Sequence, residues 1–196
     1  MAQMKLTIEL VPQTAWYSNV RSIMTKRGWD IIRKKCYEKA NYVCEICGKA
    51  GKIHPVECHE IWEYDDANKI QTLVGLIALC PSCHMVKHAM RTISVGKEVV
   101  LIKQLMKVNN ITEEAARKYI LEQFEIWQER SKFEWKIDID YIESYMFTSK
   151  GFAEDMGKQI KKDTWGKGRP MIYMNEKKEI VEHWKDGIIS ILKNSN

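Results

Sequence analysis

A chain of 196 residues carrying a net charge of +5 is long enough to enclose a core and is mildly basic rather than polycationic. Hydrophobic residues make up 45% of it and charged residues 29%, the balance of a globular protein, and no apolar run approaches the roughly 18 residues that span a bilayer. The opening MAQMKLTIELVPQ holds one lysine and no long apolar stretch, so no signal peptide and no membrane partner are expected, and a reducing cytoplasm is.

Lys5 to Val11 alternates like a short strand, and Pro12 ends it. Residues 16–40 then gather seven basic residues, Arg33 and Lys34 among them, against Asp30 and Glu38. Such a segment is either a solvated helix face or a surface for nucleic-acid phosphates. Trp29, Ile32, Cys36 and Ala40 recur at helical spacing, which predicts a helix over 29–40 and places Cys36 in a core. Two CxxC pairs follow, Cys44/Cys47 and Cys80/Cys83, separated by the 32 residues 48–79. Four thiolates in two tight knuckles complete a tetrahedron, so a structural Zn2+ is expected there, with redox dithiols or disulfides as the alternatives.

Between the knuckles, His54 to Glu60 and Leu76 to Leu79 read as strands joined by a polar loop, Glu63–Thr72. Asp65, Asp66 and Asn68 read as loop residues. Pro81 opens a helix expected to run through His84 and His88 to about Arg91. Thr92–Lys97 is a connector. Val99, Ile102 and Met106 mark a helix ending near Asn109, and Thr112 with Glu113 and Glu114 starts another that reaches Arg130. Trp135 to Tyr141 alternates as a short strand. In the tail, TWGKGRP (164–170) reads as a loop, and Ile180, Trp184, Ile188 and Ile191 predict a final amphipathic helix from Asn175 that docks on the body, on a second copy or on another protein. The expected organisation is an N-terminal strand and basic arm (1–40), a zinc-braced core (41–91), a helical flank (92–146) and an accessory tail (147–196), in an α+β fold.

His84 and His88 lie four apart and share a helix face, and a strand packed over that helix brings His59 to them. Three imidazoles with one position left open form a catalytic kind of metal site.

The stretches CEIC, ECHEI and LCPSCHMVKH resemble the HNH endonucleases, and WEYDD, VGLIALC and WDIIRKKCY resemble a bacterial and phage subgroup of them, over about residues 16–145. The resemblance implies a ββα-metal core with a structural zinc, a second divalent ion (Zn2+, Ni2+, Mn2+ or Mg2+) on His59, His84 and His88, and hydrolysis of phosphodiester bonds in DNA, with RNA as a second option. His59 aligns with the family's metal ligand and Glu60 with its general base; in the other register Glu60 is the ligand and His59 the base. His84 joins them in the catalytic set, and Arg33, Lys34, Lys87 and Arg91 are the expected phosphate contacts. Two departures stand out. The family prefers histidine where this chain has Glu60, and asparagine where it has Gly75. They leave a zinc-stabilised binding module without catalysis as the alternative function.

Overall fold

The computed structural model describes residues 4–16, 19–23, 26–142, 171–174, 180–183 and 189–192. The fold is mixed α+β. Its elements are α1 (Val20–Ile23), α2 (Lys26–Lys39), β1 (Glu57–Asp65), β2 (Ile70–Leu79), α3 (Pro81–Lys87), α4 (Ala89–Ser94), α5 (Glu98–Asn109), α6 (Glu113–Arg130) and strands β3 (Lys136–Asp138), β4 (Met171–Met174), β5 (Ile180–His183) and β6 (Ile189–Leu192). Two compact units divide the chain. One holds Met1–Thr14, Arg33–His59 and Leu76–Phe133; the other holds Ala15–Ile32, Glu60–Gly75 and Glu134–Asn196. Residues 60–75 thus belong to a different unit from the cysteines that flank them in sequence.

The first unit is built on α3, α5 and α6. Leu79, Val86, Leu101, Leu105 and Ala116 are all fully buried in one cluster that also takes in Cys44 and Cys83. Thr112 caps α6, its hydroxyl accepting from the Ala115 amide at 3.2 Å. The N-terminal segment keeps the alternation of a strand, with Leu6 and Ile8 buried, but pairs with no strand among the described residues. Its backbone is satisfied by side chains instead. Leu6 exchanges two bonds of 2.9 Å with the Asn109 carboxamide, Ile8 N–H donates to the Tyr119 hydroxyl at 3.0 Å, and the Trp127 indole donates to Val11 O at 3.0 Å. The expected strand at 5–11 is therefore an extended strap, because its partners are helix side chains.

The three-stranded sheet has the order β1-β2-β3, with β3 parallel to β2 and Ile70 opposite Lys136; residues 60–75 of its hairpin and β3 belong to the second unit, and residues 57–59 and 76–79 to the first. β1 starts at Glu57 and not at His54, both hairpin strands run on into the expected polar loop, and that loop shrinks to the turn Asp66–Lys69. Asp65 makes that possible by accepting from the amides of Ala67 and Asn68, each at 3.0 Å. Gly75 sits inside β2, not in a loop. Two further expectations change. The helix from Pro81 breaks at His88, so Thr92–Ser94 belong to α4. In the tail, residues 180–183 and 189–192 are strands of an antiparallel sheet, β4-β5-β6, with Ile180 opposite Leu192. The expected amphipathic helix, and the docking face it would carry, give way to these strands: Ile180, Val181, Ile189 and Ile191 are β-branched, and their strand preference outweighs a four-residue spacing. TWGKGRP lies outside the described residues.

Replacing Leu105 with alanine should cost about 2–5 kcal/mol of unfolding free energy, and Thr112→Ala about 1 kcal/mol. Urea titrations of the two variants would measure both losses.

Candidate metal centres

Two groups of metal-ligating side chains stand out, both in the first unit. Cys44, Cys47, Cys80 and Cys83 form one, His59, His84 and His88 the other, and within each group the ligand atoms all lie within 4.8 Å of one another. Cys36, by contrast, is 3% exposed in the core and joins neither group; a hydrogen bond with the Cys58 thiol holds its pKa below the usual thiol value.

The cysteine group is assembled by backbone geometry. Gly48, at φ 70°, reverses the chain after Cys47, and its N–H donates to Cys44 O at 2.9 Å. The second knuckle starts α3, where His84 N–H donates to Cys80 O at 2.9 Å. Glu45 ties the knuckles together. Its amide donates to Ala78 O at 3.0 Å and its carboxylate accepts from the Ala78 amide at 2.7 Å. Gly51 allows the loop behind the first knuckle to press against α3, because a Cβ there would lie 2.2 Å from His54 O and 2.8 Å from Pro81 Cδ. The Cys47 and Cys80 sulfurs are 3.6 Å apart. A zinc tetrahedron with bonds of about 2.3 Å has edges of about 3.8 Å, so the donor set fits that ion. The thiols are electrostatically unbalanced: the hydrogen bond between Cys44 and Cys83 draws Cys44 down to about 4 and pushes Cys83 far up. Gln104 Nε2 adds a bond of 3.2 Å to Cys83 Sγ.

The three imidazoles come from β1, from α3 and from the residue that ends α3. Their ring centroids are 5.3, 5.0 and 4.6 Å apart and their planes nearly perpendicular, so edges converge on one point. His84 Nε2 and His88 Nε2 are 3.1 Å apart, close to the edge of about 3.3 Å expected for nitrogens around one ion. Carboxylates hold the opposite ring atoms. Glu9 Oε2 bonds His59 Nε2 at 2.9 Å, and Glu57 bonds His84 Nδ1. That leaves His59 Nδ1 and His84 Nε2 for a metal, each ring oriented by an acid as ligating histidines commonly are. Burial, the neighbouring histidines and Arg91 push His88 down to about 3, and burial together with His59 lowers His84 despite Glu57. Both rings are then neutral at pH 7, the form that ligates. Glu9 is pushed up by burial, but its bonds to His59 and Lys87 prevail and keep it ionised.

The motifs assign no role to Glu9 or Glu57, although Glu57 opens the ECHEI stretch and is legible there. Glu57 and His59 are two apart on one strand and so share a face. Glu9 is 50 residues from its partner, and no local pattern connects them. Lys87, expected at a phosphate, is instead 5% exposed, with its ammonium bonded to Thr7 Oγ1 at 2.8 Å and to Glu9. Arg91 and Lys34 are exposed, and Arg33 lies 5.8 Å from the centre of the Tyr37 ring. Glu60 belongs to the second unit. Strand alternation turns its side chain to the face opposite His59, where the Trp62 indole donates to it at 3.2 Å. Burial raises its pKa to about 7, against hydrogen bonds from the Arg21 backbone, the Trp62 indole and the Val20 backbone.

Searches against family models, curated proteins and solved structures find no match to this chain. Among the described residues, no helix is long and apolar enough to cross a membrane.

Metal analysis of the purified chain should find two ions. His88→Ala should retain the one on the cysteines and lose the other, and Glu9→Gln should weaken the histidine ion about 10–100-fold while leaving the cysteine ion in place. A titration followed by calorimetry would read both affinities.

Proposed function

We propose that the chain is a metal-dependent endonuclease of the HNH type that hydrolyses phosphodiester bonds in DNA. The observation that carries this reading is the convergence of His59, His84 and His88, three ligands where a closed structural site has four, beside a separate four-cysteine group. A divalent ion held there would supply Lewis acidity toward the phosphate and its leaving oxygen and would make water a stronger acid. The protein's own part is orientation. Glu9 and Glu57 fix the ring planes of His59 and His84, so the ligands need not reorganise as charge develops. Arg91, whose charge already acts on His84 and His88, is the residue we assign to the flanking phosphate. Lys87 has no such role, since its ammonium is committed to Glu9 and Thr7.

Glu60 receives no step. The resemblance places it as general base, but its carboxylate is engaged by Trp62 and by the backbone of Arg21 and Val20. The same observation favours the second reading, a zinc-braced module that binds nucleic acid or a protein without cutting. The two differ in metal content, because a binding module needs only the cysteine ion.

Supercoiled plasmid incubated with the chain and Mn2+, Ni2+, Zn2+ or Mg2+ should be nicked, and His59→Ala or His84→Ala should abolish nicking. Undiminished activity in both variants would remove the histidine group from the chemistry. Glu60→Gln should change the rate by less than about tenfold; a drop of about 10²–10⁴, the usual worth of a general base, would return that role to it.

A further inference from the structure

A cleft of about 800 Å³ opens in the first unit beside the cysteine group, and Lys5, Lys49, Lys52 and Lys107 stand around it. All four are exposed, and among the described residues none of them has an ion-pair partner. They come from three separate places: the N-terminal strap, the loop behind the first knuckle, and α5. Zinc on four thiolates would carry two negative charges, so four ammonium groups more than offset it and leave the cleft positive. The one acid in its lining, Glu57, is bonded to His84 Nδ1. The cleft and the three-histidine group therefore share a wall. Part of that lining is apolar, and Ile53 at its rim is 86% exposed.

We infer that this cleft is a binding site for one strand of nucleic acid, a few nucleotides long, that leads to the histidine group. Its volume is that of a small-ligand site, too small for a duplex whose major groove alone is about 12 Å across. Ammonium groups without an ion-pair partner among the described residues, set beside apolar side chains, suit a single strand, which presents phosphates and uncovered base faces together. A duplex presents its phosphates with the bases stacked away. The inference rests on the proposed hydrolysis only for what is delivered to the histidines; the strand binding is a property of the cleft.

The test uses the full zinc-loaded chain in a His84→Ala background, so that the probe stays intact. The probe is a fluorescein-labelled oligothymidylate of about twelve nucleotides, within the range that single-strand sites cover, read by fluorescence anisotropy over a salt series. The triple variant Lys49→Gln/Lys52→Gln/Lys107→Gln should bind at least tenfold more weakly, and its log–log salt slope should be shallower by about 2, near 0.7 for each phosphate that is no longer neutralised. Lys103→Gln, on α5 but outside the lining, should bind as the parent does, and arginine at the three positions should restore binding. Zinc content and melting temperature confirm that the variants are folded. Equal binding by the triple variant, an equal loss in Lys103→Gln, or tighter binding of the matching duplex would overturn the inference. Plasmid nicking in the otherwise wild-type chain separates the two claims. Nicking with unchanged oligonucleotide binding in the triple variant sinks the cleft and spares the hydrolytic reading. Lysine-dependent binding with no nicking by the wild-type chain does the reverse.

Discussion

Four thiols are packed between the first knuckle and the start of α3, their sulfurs within 4.8 Å of one another, an arrangement that a single ion can bridge. Within it the Cys44–Cys83 pair is pulled apart electrostatically, one thiol acidified and the other made far more basic. A cation at the centre removes that conflict, because every sulfur can then be a thiolate. The same closure fixes where α3 begins, and with it the position of His84 one residue after the last cysteine. Everything said of the histidines depends on that anchor.

The histidine group shows a second layer of constraint. Each acid behind it is itself positioned. Glu57 is set by the strand that carries His59, while Glu9 is held by Lys87 and by the strap whose amide meets Lys87 O at 3.2 Å. A lysine that reads as a surface cation is thus an internal counter-charge, placed where its loss would leave the enclosed Glu9 carboxylate only its bond to His59.

What can be read from the chain divides along physical lines. The cysteine spacing, the cap at Thr112 and the extents of α5 and α6 are local signals, and the fold keeps them, although Val99, read as part of the α5 stripe, is exposed and the helix buries Leu101, Ile102 and Leu105 instead. The grouping of His59 with His84 and His88 is also legible, since strand-over-helix packing leaves few other places for them. Features decided at long range are not. The strap at residues 5–11 has the alternation of a strand, and only Asn109 and Tyr119, more than a hundred positions away, determine that it pairs with side chains. The tail offers two periodicities at once, and the β-branched residues decide for strands. Glu60 takes its expected role from its neighbours in sequence, whereas the alternation of β1 sends it to the other face.

Because Glu9 reaches His59 from the N-terminal strap, and α5 and α6 hold that strap, the metal-binding segment is not a portable cassette. Residues 41–91 moved alone into another scaffold would bring every thiolate and imidazole with them. They would leave behind the carboxylate that fixes one ring and the helices that aim it. Swapping such segments among related chains would transplant the ligands without their alignment.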